Sequence, residues 1–148
     1  MKAIFRTLLL VCVCVFFLAN CAQADNDKPI NLSDLPAAAQ TLISQYFPDK
    51  KVALAKVESG VIEKNYDVIF TDGTKLEFNR KGEWTEINCR KSQVPAGLVP
   101  TSIAQYVKST YPGTQIIKIE HEHKEYEVKL STGIEITFNK KFQVIDID

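Results

Sequence analysis

Residues 66–79, YDVIFTDGTKLEFN, predict a β-hairpin. Apolar and polar residues alternate on both sides of Asp72-Gly73 with the period of two that is typical of a half-buried strand. Asp72-Gly73 favours a tight turn, because such a turn needs residues that tolerate positive φ. Residues 126–139, YEVKLSTGIEITFN, repeat the pattern at an offset of 60 positions, with Tyr, Gly and Phe-Asn in the same places. The chain therefore contains this hairpin twice.

Each hairpin is preceded by an amphipathic helical pattern. The first runs from Pro36 to Pro48, and its apolar stripe consists of Ala39, Leu42, Ile43, Tyr46 and Phe47. The second runs from Pro100 to Pro112 at an offset of 64, and its stripe consists of Ile103, Tyr106, Val107 and Tyr111. Four residues are thus lost between helix and hairpin. Residues 117–120 match residues 55–58 at an offset of 62, which places the loss in the loop and first strand.

These patterns predict an α+β fold made of a tandem repeat of two αβββ units. Three strands with one apolar face need a cover, and one amphipathic helix supplies it, so we expect an antiparallel sheet with the helices on one face. Residues 33–89 form the first predicted repeat and residues 99–148 the second, with closing strands at 84–88 and 144–148. Residues 90–98 carry Pro95 and Gly97 and are interpreted as a linker. The sequence leaves open whether the two sheets join.

The N-terminal 24 residues have the features of a signal peptide. Lys2 and Arg6 precede an uncharged apolar run at 8–18, and Ala22-Gln23-Ala24 supplies a small-x-small cleavage site. We predict an exported, periplasmic protein without a membrane span in the mature chain, in which residues 25–32 are a flexible leader. Residues 18–21, LANC, resemble a lipobox except at Asn20, so a lipid anchor at Cys21 or secretion is the alternative.

The charge argues against a nucleic-acid-binding protein, and the cysteine content argues against a disulfide-stabilised one. The signal peptide holds two of the 18 basic residues and none of the 18 acidic ones, which leaves 16 against 18, about −2, in the mature chain. No basic face is implied, so nucleic acid is not a predicted partner. Cys12, Cys14 and Cys21 leave with the signal peptide. Cys89 then cannot form an intrachain disulfide and is expected to be a buried, inert thiol, with an exposed reactive thiol as the rarer alternative.

The motifs together resemble the PepSY-like family of small exported bacterial proteins, also described as β-lactamase-inhibitor-like. The resemblance rests on the Leu35-Pro36 and Phe47-Pro48 helix boundaries, the Asp-Gly hairpin, and the segment from Phe78-Asn79 to Gly82-Glu83-Trp84. It implies a tandem repeat that leaves one sheet face free. In β-lactamase inhibitory proteins such a face grips an enzyme, and PepSY domains are linked to protease inhibition or regulation. Those inhibitors use disulfides, which this mature chain cannot form internally.

The candidate binding residues are those expected on the helix-free face of the sheet. If Ile87 points inward, alternation directs the following residues outward: Trp84, Glu86, Asp67, Ile69, Glu77, Glu127, Lys129, Glu135 and Thr137. Trp84 and Ile69 would form an apolar centre within a polar rim, as in protein-binding patches. The alternative places Trp84 in the core, beneath a loop or the other half. The predicted function is an exported, non-enzymatic protein-binding module, with inhibition or regulation of an envelope protease or other enzyme as one form of it.

The histidines offer the competing hypothesis. His121, His123, Glu125 and Glu127 would share one face of a straight strand and could bind zinc. The repeat alignment instead places residues 121–124 at a loop tip with the two histidines pointing apart, so no metal or cofactor is predicted. No nucleophile stands beside an oriented base, so catalysis is not predicted either. A small-molecule or metal-handling protein and a structural envelope component are the alternative functions. The expected partner is an envelope protein of unnamed identity.

Overall fold

The computed structural model describes residues 27–60 and 63–148. Nine strands form one antiparallel sheet in which each strand pairs with the next along the chain. The strands are β1 (Asp27–Pro29), β2 (Val52–Ser59), β3 (Lys64–Phe70), β4 (Lys75–Phe78), β5 (Trp84–Asn88), β6 (Ile116–Glu122), β7 (Glu125–Leu130), β8 (Glu135–Phe138) and β9 (Val144–Ile147). Helix α1 (Ala37–Tyr46) precedes β2, and helix α2 (Thr101–Thr110) precedes β6. Short 3-10 turns lie at Leu32–Asp34 and Ala96–Leu98.

The two helices begin and end where the prolines of the sequence predict. Pro36 and Pro100 occupy the N-cap positions, where a missing N–H costs no intrahelical hydrogen bond. Tyr111 closes α2, and its N–H donates to the carbonyl of Val107 at 2.8 Å. The next residue, Pro112, disfavours a helical conformation in the residue before it, so the helix does not continue.

Both helices cover the same face of the sheet, here called the helix face. The fully buried sheet residues on this face are Val68, Phe70, Leu76, Phe78, Ile87, Ile119, Val128, Leu130, Ile136 and Phe138. Phe47, just after α1, packs on Phe70 of β3 with ring centroids 5.7 Å apart. Tyr106 of α2 meets Phe138 of β8 edge to face at 5.5 Å. The opposite side of the sheet, which neither helix covers, is called the open face.

The structure answers the question of sheet continuity and corrects the strand count. Strand β5 pairs with β6 through Ile87 and Ile119, so one sheet spans both halves. Each helix is followed by four strands, not three. The predicted αβββ unit was wrong because the hairpin supplies two strands by itself, with one more before it and one after it.

Two segments outside the predicted units are also part of the packed structure. Residues 27–29 form β1, with Lys28 opposite Val57, so the prediction of a flexible leader was wrong for these residues. Within the predicted linker, Val94 is 1% exposed, and its N–H donates to the carbonyl of Ile116 at 2.8 Å.

The register of β6 differs from the sequence alignment. His121 pairs with Tyr126, as Val57 pairs with Tyr66, so the offset in this strand is 64 rather than 62. Glu58 pairs with Asn65 across residues 59–64, whereas Glu122 pairs with Glu125 across residues 123–124 alone. The four residues are therefore lost in the turn and not before the strand.

Candidate functional site

A continuous row of side chains crosses the open face. Each of its members lies directly opposite the next on the neighbouring strand: Lys56, Asp67, Glu77, Glu86, Glu120, Glu127, Thr137 and Asp146. Its six carboxylates are called the acidic row. Carboxylates oppose each other at four successive strand pairs, from β3–β4 to β6–β7. Like charges directly opposite each other destabilise a sheet, so this arrangement costs folding free energy.

Lysines on the next row partly neutralise these carboxylates. Lys118 Nζ lies 2.8 Å from a carboxylate oxygen of Glu120 and 3.5 Å from one of Glu86. Burial opposes the charge of Lys118, but the hydrogen bond to Glu120 and the charge of Glu86 prevail and raise its pKa. Lys129 Nζ lies 2.6 Å from Glu135, whose carboxyl pKa is lowered by this hydrogen bond. Lys118 is therefore held as a cation beside the acidic row, while Lys129 pairs with Glu135 on the neighbouring row.

The neutralisation is incomplete at two positions. Burial raises the pKa of the Glu77 carboxyl against the opposing hydrogen bond from Lys75. Burial also raises the pKa of Glu127, and the negative charge of Glu120 across the strand pair adds to the effect. Glu127 makes no ion pair within residues 27–60 and 63–148. Near Glu127, a hollow of about 340 Å³ lies among Glu120, Glu122, Glu125, Glu127 and Thr137.

Asp67 has a structural position within the row. Asp67 is 2% exposed, and its Oδ2 lies 3.3 Å from Lys56 Nζ and 3.2 Å from Lys75 Nζ. Hydrogen bonds to Asp27 and Glu58 raise the pKa of Lys56 against burial, and the charge of Asp67 adds to them. Asp67 therefore holds two lysines in place and is too deeply covered to contact a partner.

Most of the sequence-predicted site residues do lie on the open face. The pairing of the strands places the following residues there: Asp67, Ile69, Glu77, Glu86, Glu127, Lys129, Glu135 and Thr137. Ile69 lies opposite Leu54, which is 39% exposed and was not among the predicted site residues. Leu54 precedes Lys56 by two positions along β2, and this spacing was the signal that both side chains lie on the same face. A role of these residues in binding stays a prediction.

Trp84 lies on the other side of the sheet. It pairs with Phe78, which is fully buried, while Glu77 pairs with Glu86, so Thr85 is the extra residue of a β-bulge. Trp84 packs against the core, with its ring centroid 6.0 Å from that of His121. The predicted apolar centre of Trp84 and Ile69 was therefore wrong, because alternation does not carry across a bulge.

The histidines do not form a pair. His121 belongs to β6 and stacks on Tyr126 at 4.3 Å, so its predicted position at a loop tip was wrong. His123 lies in the turn with φ of 50° and is exposed. In the part of the chain that the structure describes, no three His, Cys, Asp or Glu residues are grouped to hold a metal ion. Cys89 is buried as predicted, and burial raises the pKa of its thiol.

The fold and the open face together define a small α+β protein in which two helices cover one face of the sheet and charged side chains line the other. The chain belongs to the PepSY-like family: the family model described as "Putative beta-lactamase-inhibitor-like, PepSY-like" matches residues 64–146. Among curated proteins, none matches the sequence significantly.

Three crystal structures of Bacteroides proteins are similar to this chain. A "putative periplasmic protein from DUF2874 family" of Bacteroides vulgatus ATCC 8482 is 55% identical with a TM-score of 0.82, over 84% of this chain and 98% of that one. A "putative calcium-regulated periplasmic protein" of Bacteroides thetaiotaomicron is 50% identical with a TM-score of 0.82, over 84% and 98%. A "putative periplasmic protein of unknown function" of Bacteroides vulgatus ATCC 8482 is 37% identical with a TM-score of 0.79, over 83% and 99%.

These relatives confirm the predicted localisation, and the protein is periplasmic. The predicted signal peptide at residues 1–24 and the alternative lipid anchor at Cys21 lie outside the described residues. Neither helix of the described segments has the length and apolar character needed to cross a membrane.

Proposed function

We propose that this protein is a non-enzymatic periplasmic binding module whose open face docks a protein with a basic surface. The observation that carries the proposal is the acidic row, in which carboxylates oppose each other at four successive strand pairs. Lysine or arginine side chains of a partner would relieve this repulsion on binding. Complementary charge of this kind favours both the rate and the specificity of association.

The structure changes which residues we assign to the contact. Glu77, Glu86, Glu120 and Glu127 form its centre in place of Trp84. Lys129, Glu135 and Thr137 form one side of the rim. Ile69 and Leu54 give an apolar margin at the other side, where a partner can bury hydrophobic surface.

Inhibition or regulation of an envelope enzyme is the form of binding that the family description suggests. One relative is described as calcium-regulated, but the described residues of this chain group no set of metal ligands. Calcium is therefore a condition of the capture experiment and not a proposed ligand.

We also infer that residues 33–89 and 99–148 are two copies of one repeat joined by residues 90–98. The same turn geometry supports this inference. Asn79 Oδ1 accepts hydrogen bonds from the N–H groups of Lys81 and Glu83 at 2.9 and 3.1 Å. Asn139 Oδ1 does so from Lys141 and Gln143 at the same two distances.

Affinity capture from periplasmic extract tests the proposal with three forms of the mature chain. Glu127→Lys reverses one charge of the acidic row, and Asp49→Lys makes the same change at an exposed residue after α1, outside the sheet. We expect wild type and Asp49→Lys to retain one basic partner and Glu127→Lys to bind it at least about tenfold more weakly. Binding should weaken as salt rises, because exposed charges are screened.

Three results bear on the outcome. Equal capture by Glu127→Lys, or capture of no partner by the wild type, would contradict the proposal. If the captured protein is an enzyme, assay with and without the wild-type chain decides between inhibition and binding alone. Repeating the capture with calcium and with a chelator shows whether the description of the relative extends to this chain.

A further inference from the structure

We propose that the outer edge of β9 accepts an extended segment of a partner protein whose residues alternate between basic and apolar, adding a tenth strand to the sheet. Among the described residues, β9 pairs with β8 alone and stands at one end of the strand order. This site is separate from the centre of the open face, and it does not depend on the function proposed above.

The backbone of β9 is oriented for such an addition. Asp148 and Glu135 exchange two hydrogen bonds, from each N–H to the carbonyl of the other residue, both at 2.9 Å. In an antiparallel ladder, hydrogen-bonded pairs alternate with pairs that are not hydrogen-bonded. The neighbouring pair, Ile147 with Ile136, is therefore of the second kind. The N–H and carbonyl of Ile147 consequently point away from β8, toward the free edge.

The side chains of β9 define the chemistry of the incoming strand. Ile147 lies opposite the fully buried Ile136 on the helix face, yet it is 47% exposed because nothing among the described residues flanks it on the outer side. Asp146 lies opposite Thr137 on the open face, and Asp148 faces Glu135. An added strand would thus place apolar residues beside Ile147 and basic residues beside the two aspartates. Main-chain hydrogen bonds supply affinity in this mode of recognition, and alternate side chains supply specificity.

The opposite edge of the sheet lacks these properties. Strand β1 has three residues, and Pro29 within it has no N–H to donate. Lys28 is exposed on the same strand. Short length, proline and lysine are the features that block edge pairing. Within residues 27–60 and 63–148, the sheet is therefore protected at β1 and open at β9.

Charge also disfavours a second copy of this chain as the occupant. Two β9 strands pairing antiparallel around Ile147 would place Asp148 of one copy beside Asp146 of the other. Four carboxylates would then meet at the new strand pair, and like charges directly opposite are destabilising. A basic and apolar strand has no such conflict.

A synthetic peptide of four Lys-Val repeats is the probe. NMR-detected amide exchange on the full mature chain reports the site, and calorimetry reports the affinity. We expect slowed exchange of the Ile147 amide on binding and no comparable change at Asp148, whose N–H is already bonded to Glu135. A peptide of four Glu-Val repeats should bind at least about tenfold more weakly.

Variants separate the edge of β9 from the rest of the surface. Ile147→Pro removes the outward N–H but keeps the pairing with β8, and proline is tolerated at such edge positions; we expect at least about a tenfold loss of affinity. Asp49→Lys, a charge reversal at an exposed residue outside the sheet, should change affinity by less than about twofold. If Ile147→Pro unfolds, the double variant Asp146→Lys with Asp148→Lys serves instead, and it should prefer the Glu-Val peptide.

Several outcomes would overturn the proposal. Unchanged affinity in a folded Ile147→Pro variant, or exchange protection confined to residues of β4 to β7, would place the peptide elsewhere. Equal binding of the two peptides would remove the assigned chemistry. Self-association of the chain without peptide, abolished by Ile147→Pro, would show that a second copy occupies the edge.

Discussion

At the scale of single residues, Trp84 shows how one inserted position changes the side on which a side chain acts. Thr85 is the extra residue in β5, so Trp84 joins Phe78 on the helix face while Glu86 stays on the open face. The ring is half-buried and packs against the core beside His121. Its contribution is therefore expected in stability rather than in partner binding.

The variant Trp84→Ala should lower the free energy of unfolding by about 1 to 3 kcal/mol, because a partly buried aromatic side chain loses its packing. Denaturant unfolding measures the change. Thr85→Ala, at the adjacent bulge position, is the control and should stay within about 0.5 kcal/mol of the wild type. Unchanged stability of Trp84→Ala together with loss of partner capture would restore Trp84 as a binding residue.

At the scale of elements, the contact between α1 and the β4–β5 turn depends on Gly82. This residue has φ of 81°, which favours glycine, and a Cβ placed on it would lie 2.7 Å from Pro36 Cβ and 3.0 Å from the Ala39 nitrogen. The start of α1 can approach the turn only because that Cβ is missing. The second half places Phe142, with φ of 58°, in the turn after Asn139.

We expect Gly82→Ala to destabilise the protein by about 2 to 4 kcal/mol, because it adds backbone strain and a steric clash with the first turn of α1. Gly113→Ala is a matched control: Gly113 has the same φ of 81°, but nothing lies within 4 Å of its added Cβ. It should cost only the strain, about 1 kcal/mol. Equal losses for the two variants in thermal or denaturant unfolding would show that the contact with α1 contributes nothing.

The elements that sequence reasoning predicted are those encoded by local patterns. Alternation and Asp72-Gly73 gave the hairpin, and helical spacing between prolines gave α1 and α2. The bulge at Thr85 was missed because an inserted residue leaves no periodic signal. Strand β1 was missed because its residues are polar and its pairing partner is distant; Lys56 Nζ lies 2.6 Å from Asp27, 29 positions away in sequence.

At the scale of the whole molecule, alternation predicted which residues reach the open face but not that their carboxylates would meet. The acidic row requires β5 and β6 to pair, with Glu86 opposite Glu120, and the sequence left open whether the two sheets join. Joining them brings the carboxylates of both halves into one row. The acidic row is thus a property of the complete sheet, and a partner that contacts the whole row would span both halves.

The acidic row should also make the stability of the fold depend on pH, because Glu127 is harder to ionise in the folded protein than in the unfolded chain. Its pKa is raised in the folded protein, so its charged form is disfavoured there. This penalty is complete above the folded pKa and disappears as the pH falls toward the ordinary value of 4.5. Glu127→Gln should therefore raise the Tm at pH 7, and the gain should shrink as the pH approaches 4.5.

Glu135→Gln is the control of opposite sign, because Lys129 lowers the pKa of Glu135 and its charged form stabilises the fold. Melting curves of the two variants across this pH range measure both effects. A lower Tm for Glu127→Gln at pH 7 would mean that the ionised carboxylate stabilises the fold. The acidic row would then contain no uncompensated charge at Glu127, and the argument that the row binds a basic partner would fail at this residue.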